Sequence, residues 1–217
     1  ANMYNVTFYV DGVVYDSYKL ENGSEVILPE NPEDKEGYKF LVWSPDANGA
    51  IVDEEDLEFN AVFVKGKYVL SFNTDGGTPV DSIEAKYGDN IANLLPGANA
   101  TTKEGYTFAG WDTKLPETMP GKNTEVKALW TKNAYSVKFV NGLTGAEITT
   151  VTGEYGSAVA APALPTAAGY TFAWDVTPPA TIPAKNEKGE VMANGGVMTV
   201  TAVPTANDVT ITFDTNG

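Results

Sequence analysis

Gly105-Tyr106-Thr107-Phe108-Ala109-Gly110-Trp111 is the cleanest copy of a stretch that the chain writes three times. Gly37-Tyr38-Lys39-Phe40-Leu41-Val42-Trp43 precedes it, and a shortened Gly169-Tyr170-Thr171-Phe172-Ala173-Trp174 follows. The copies are spaced by 68 and then 64 residues. That is too long for one turn of a solenoid and suits a small module with its own core. Side chains in a strand alternate faces with period two. Tyr170, Phe172 and Trp174 therefore share one face. The other copies carry one extra residue between Phe and Trp. A β-bulge near Leu41-Val42, and another near Ala109-Gly110, would return Trp43 and Trp111 to the face of their Tyr and Phe; the third copy needs none. On this reading Tyr38, Phe40 and Trp43, then Tyr106, Phe108 and Trp111, then Tyr170, Phe172 and Trp174 are the structural core motif of three modules. The alternative is an exposed aromatic platform for sugar.

Absent residue types exclude several chemistries. The 217 residues include no Cys, His, Arg or Gln. Without Cys and His there is no transition-metal site of the usual kind, no thiol chemistry and no Ser-His-Asp triad. Without Arg the planar fork that grips phosphate is missing. A formal charge of −15 repels nucleic acid and anionic membrane surfaces. No run of 18 apolar residues occurs, so direct membrane insertion is not expected. No secretory leader opens the sequence, as in a mature or trimmed chain.

Each repeat begins with an alternating strand: Tyr4, Val6, Phe8; Tyr68, Leu70, Phe72; Tyr135, Val137, Phe139. Asp11-Gly12, Asp75-Gly76-Gly77 and Asn141-Gly142 then read as hairpin turns, because Asn, Asp and Gly tolerate positive φ. Second strands are expected over Val14–Leu20, Val80–Tyr87 and Ile148–Tyr155, each stopped by a glycine (Gly23, Gly88, Gly156). An extended, proline-containing segment follows in repeats one and three. In repeat two, Asp89–Leu95 predicts a helical turn capped by Asp89. Final strands are expected over Glu58–Val64, Glu125–Trp130 and Met198–Val203. Asn186–Gly196 is an insertion that reads as a long hairpin tip or loop. The modules then span residues 1–66, 67–133 and 134–206. Residues 207–217 repeat the opening strand and turn, as the first strand of a truncated fourth repeat; such a strand needs an edge to pair with, in repeat three or in a neighbouring molecule.

The order of strand, turn, strand, Tyr-Gly, Gly-Tyr-x-Phe-x-x-Trp and a strand closing in Ala-x-Trp resembles the Listeria–Bacteroides repeat, which includes the B-repeat of internalins. The marks here are Phe72-Asn73-Thr74-Asp75-Gly76-Gly77, Tyr87-Gly88, Gly105 to Trp111, and Ala128-Leu129-Trp130. Repeat one has Phe63 in place of the closing Trp; repeat three lacks that Trp and one residue of the aromatic motif. The resemblance implies a β-grasp-like module on bacterial surface or secreted proteins, an extracellular location, a spacer or interaction role, and no catalytic residues.

The remaining motifs read as structural. Leu115-Pro116-Glu117-Thr118 matches the start of a sortase signal but lacks the following Gly, the apolar span and the basic tail; Met119 and, in repeat three, Ile182 are expected to plug the core instead. Asp53-Glu54-Glu55-Asp56 with Glu58 could hold calcium, yet lacks the spacing of an EF-hand loop. Acidic pairs for glycoside hydrolysis cannot be singled out among 29 acidic residues, and a module this small should lack a cleft of about 300 Å³ or more. The expected fold is β-dominated (α+β at most), a tandem array of β-grasp-like modules with mostly antiparallel sheet. The expected function is a non-catalytic spacer or adhesion segment without a cofactor; the alternative is a carbohydrate-binding module of a glycan-processing protein. Expected partners are a host or bacterial surface protein or a glycan, with no nucleic acid. The chain should be a monomer apart from strand pairing by its tail.

Overall fold

The computed structural model describes residues 2–213. It contains three four-stranded mixed sheets. The first sheet holds β1 (Met3–Val10), β2 (Val13–Glu21), β3 (Tyr38–Ser44) and β4 (Leu57–Lys65), in the order β2-β1-β4-β3. The second holds β5 (Lys67–Asn73), β6 (Ile83–Lys86), β7 (Tyr106–Trp111) and β8 (Thr124–Lys132), ordered β6-β5-β8-β7. The third holds β9 (Ala134–Asn141), β10 (Glu147–Glu154), β11 (Tyr170–Trp174) and β12 (Val197–Ala206), ordered β10-β9-β12-β11. In every sheet the first and last strands of the repeat are central and parallel to each other. The strands are set by alternation: Val6, Phe8 and Phe59 turn inward in the first sheet, while Asn5, Glu58 and Asn60 stay exposed.

The chain divides into two compact units. One comprises Ala1–Asn73, Val80–Gly97 and Trp111–Lys127; the other comprises Thr74–Pro79, Ala98–Gly110 and Ala128–Gly217. The first unit contains two cores. One is built on Val6, Phe8, Trp43, Val52 and Phe59, the other on Leu70, Phe72, Ile83, Ile91, Met119 and Val126. The second unit contains the core of Tyr135, Val137, Phe139, Ile182, Met198 and Val200. Met119 and Ile182 are buried core plugs, and Val52 occupies the equivalent place. Their carbonyls accept from the glycine that ends each second strand: Gly23 N to Val52 O 2.8 Å, Gly88 N to Met119 O 2.9 Å, Gly156 N to Ile182 O 2.9 Å.

The bulge expected in the first repeat is present, and the third repeat has none. Pairing of β3 with β4 slips between Phe40 and Val42, whereas β11 pairs with β12 without a slip. Gly110 takes φ 109°, a conformation that only glycine adopts without strain.

Several sequence expectations need correction. Asp11 and Gly12 do form a tight turn, with φ 51° and 76°. Asp75 and Gly76 also take positive φ, but no tight hairpin follows, because Thr78 pairs with Thr101 and Thr102 instead. The second strand of repeat two accordingly starts only at Ile83. In repeat three the left-handed residue is Gly145, not Gly142, and Asn141 closes a longer loop by accepting from Gly145 N at 2.7 Å. The helical turn is a single 3-10 turn, Ala92–Leu94; Asn90 Oδ1, not Asp89, accepts from Ala92 N at 3.0 Å. Asn207–Phe213 form no strand, and Val209, Ile211 and Phe213 are exposed; residues 214–217 of the expected tail strand lie outside the described residues.

The aromatic triplets do not act as one core. Of the nine rings only Trp43 is buried. Phe40, Trp111 and Trp174 pack against the cores from partly exposed positions. The motif lies on β3, β7 and β11, which are edge strands, and an edge strand is covered on one flank only. The tyrosines are used elsewhere.

Candidate functional site

The Gly-Tyr end of the motif and the Tyr-Gly end of the next repeat's second strand meet in a recurring joint. Within the first unit, Gly37 has φ 79°, and a Cβ there would overlap the ring of Tyr87. Tyr38 meets the same ring edge-on, with centroids 5.5 Å apart. Gly66 N donates to Gly37 O at 2.9 Å, and Tyr87 N donates to Gly66 O at 2.9 Å. The second unit repeats each element. Gly105 has φ 79°, its Cβ would overlap the Tyr155 ring, and Tyr106 meets Tyr155 edge-on at 5.8 Å. Asn133 N donates to Gly105 O at 2.9 Å, and Tyr155 N donates to Asn133 O at 2.8 Å. Such T-shaped pairs contribute about 0.5–1.5 kcal/mol beyond their buried area. Only glycine combines the left-handed φ with the absence of a side chain under the ring.

The second joint carries extra polar links. Thr107 Oγ1 donates to Asn133 Oδ1 at 2.5 Å, and the Asn133 amide donates to Tyr135 Oη at 3.0 Å. Lys185 pairs with Glu104 at 2.8 Å, and that carboxylate holds the lysine's pKa above its ordinary value. Both side chains are about half exposed, so the pair itself contributes little.

Beside this joint lies an open groove of about 570 Å³, lined by Tyr106, Phe108, Trp130 and Tyr135 and by the Val191–Asn194 loop. The expectation of no cleft is thus corrected: the insertion of repeat three walls a space that one small module could not enclose. Tyr106, Phe108 and Trp130 are half-buried. Lys103 Nζ lies 4.6 Å from the Tyr106 centroid and 5.7 Å from that of Trp130. Glu104, tied to Lys185, is the single carboxylate among the lining residues, so the groove offers no acid pair.

Sequence reasoning missed what the closing Trp does. Trp130 Nε1 donates to Thr74 O at 3.0 Å, and its ring lies where a Cβ of Gly77 would project. The Asn-Thr-Asp-Gly-Gly turn and the closing Trp are therefore one device, and both are missing from repeats one and three. The acidic run is also partly spoken for. Asp56 accepts from Asn5 N at 2.7 Å and Asn5 Nδ2 at 2.8 Å, and these bonds hold its carboxyl below the ordinary range. Leu115 packs against a core, and Glu117 O accepts from Ile91 N at 2.9 Å, so the sortase-like tetrapeptide is part of a module wall.

The family described as Listeria-Bacteroides repeat domain matches residues 4–61, 68–127 and 135–177. A "Putative Gly-rich membrane protein" of Evansella cellulosilytica is 32% identical over 236 residues, covering 100% of this chain and 26% of that protein. A "Putative membrane protein" of the same organism is 31% identical over 189 residues, covering 79% and 27%. Internalin H of Listeria monocytogenes is 33% identical over 147 residues, covering 60% and 25%. The chain spans about a quarter of the length of these relatives. Among solved structures, SHIRT domains 3-4 from a streptococcal cell surface protein share 17% identity at a TM-score of 0.22, covering 58% of this chain and 96% of theirs. The type 2 repeat of the mucus binding protein MUB from Lactobacillus reuteri shares 15% at a TM-score of 0.17, covering 95% and 100%.

Proposed function

Because the chain belongs to the Listeria-Bacteroides repeat family, we propose that it is a non-catalytic spacer segment of an extracellular bacterial surface protein, made of β-grasp-like modules at residues 1–66, 67–133 and 134–206. The observation that carries this reading is the joint built twice from the same parts. The tyrosines that stand out in the sequence serve to fix one module on the next, and not to hold a substrate. Joints closed by rings and backbone hydrogen bonds limit the swing that a short linker would otherwise allow. The chain has no native Cys, so spin labels can be placed freely. Labels at Lys19 and Asn93, both exposed and both in the first unit, should give one narrow distance distribution by pulsed electron resonance. Gly37→Ala should broaden it. A broad distribution in the unmodified chain contradicts a spacer with fixed joints.

The second reading is glycan binding in the groove. The observation favouring it is the grouping of Tyr106, Phe108 and Trp130 around one open space beside Lys103, since sugar faces stack on such rings. Titration of mucin oligosaccharides against Trp130 fluorescence distinguishes the two: a saturable change abolished by Phe108→Ala supports binding there.

A further inference from the structure

We propose that Gly169 and Tyr170 form a vacant socket of the same joint, and that its occupant is the Tyr-Gly turn of a further repeat of this family joined through Asn207. This rests on the spacer reading above and names the partner of a third joint that nothing else assigns.

The socket is already half made. Gly169 takes φ 80°, against 79° at Gly37 and Gly105. Asn207 N donates to Gly169 O at 2.8 Å, repeating the bonds of Gly66 to Gly37 and Asn133 to Gly105. Tyr170 N donates to Ala167 O at 3.2 Å, as Tyr38 does to Lys35 and Tyr106 to Lys103. What differs is the cover. A Cβ at Gly169 would meet nothing within 4 Å, whereas at Gly37 and Gly105 it would strike a tyrosine ring. Gly37 and Gly105 are buried and Gly169 is exposed. Tyr170 is 39% exposed, and among the described residues no aromatic ring stacks on it. Socket geometry therefore exists before any occupant does, set by the β11–β12 pairing.

The chemistry of the occupant follows from the two filled joints. It must bring a tyrosine ring over Gly169 and donate its own backbone N–H to Asn207 O. Tyr87 lies 21 residues after Gly66, and Tyr155 lies 22 after Asn133. A second strand at that distance from Asn207 would deliver the ring. A second copy of this chain cannot supply it from its first repeat, where Asn22-Gly23 stands at the Tyr-Gly position. The bond of Gly23 N to Val52 O fixes that equivalence. Tyr87 and Tyr155 are already committed within the chain.

The test replaces residues 208–217 with a second copy of residues 67–133, joined directly to Asn207, and reads amide hydrogen exchange. Gly169→Ala should speed exchange at Asn207 and at the appended copy of Tyr87 by about tenfold or more, with core amides unchanged. Gly105→Ala should do the same at Asn133 and Tyr155. If Gly105→Ala acts and Gly169→Ala does not, the socket is overturned while the joint reading stands; if neither acts, both fall. A second extension, with residues 134–206, is read the same way, and unprotected core amides in both appended copies overturn the proposal, since a socket for repeats must accept these. Light scattering of the unextended chain should show a monomer; a concentration-dependent dimer abolished by Gly169→Ala would name a second copy as the occupant and overturn it too.

Discussion

Trp43 is 6% exposed and packs edge-on against Phe8 at 4.9 Å. Trp43→Ala should cost about 3–5 kcal/mol, read as a lowered urea midpoint. Its Nε1 is buried without a partner among the described residues, and an unsatisfied buried donor costs about 1–3 kcal/mol. Trp43→Phe should therefore lose less than half of what Trp43→Ala loses, and equal losses would show that the indole N–H is satisfied. Asp56 supplies a pH signature. Its folded-state pKa is lowered by the side-chain and backbone bonds from Asn5. A carboxyl so lowered stabilises the fold above its unfolded pKa, and that contribution is lost as pH falls through the folded value. Carbon-detected titration should find Asp56 below the ordinary aspartate value, and Asn5→Ala should raise it. The alternation Tyr-x-Phe-x-Trp was legible at this scale, but which flank of the sheet each ring would find was not, because that depends on whether the strand is central or at an edge.

Among the elements, the glycines at the starts of β3, β7 and β11 allow an internal comparison. Gly105 and Gly169 share the same left-handed backbone, so an alanine strains both by about 1 kcal/mol or more. Only at Gly105 does the new Cβ also displace a tyrosine ring, and overpacking of that kind adds roughly 1–3 kcal/mol. Gly105→Ala should therefore destabilise the second unit more than Gly169→Ala, by thermal or urea denaturation; equal losses would leave backbone strain as the only cause. The strands and the bulge at Phe40–Val42 could be read from period-two patterning and one extra residue. The loop after β5 could not. Its course is held from a distance: Trp130, more than fifty residues away, bonds Thr74 O, and Thr78 pairs with Thr101 and Thr102, so the turn at Asp75-Gly76 opens no hairpin. The tail shows the same limit from the other side: Val209, Ile211 and Phe213 carry a strand pattern, but pattern alone supplies no neighbour to complete a ladder.

Across the molecule, the repeats were legible as a period, but the way they are tied together was not, because Gly-Tyr and Tyr-Gly lie about fifty residues apart and each reads locally as a turn. Residues 67–133 alone should still melt cooperatively, since Leu70, Phe72, Ile83, Ile91, Met119 and Val126 close one core. The melting point should lie below that of the same residues in the full chain, because two joints are lost; an isolated repeat that melts no lower would argue against stabilising joints. The joint claim is tested most directly by a double-mutant cycle between Tyr106 and Tyr155, read as the opening free energy of the Asn133 and Tyr155 amides in native-state hydrogen exchange. The two rings should couple by about 0.5–1.5 kcal/mol, with Tyr106→Ala costing little once Tyr155 is already alanine. Strictly additive losses would contradict the account, leaving the recurring tyrosines as independent surface residues.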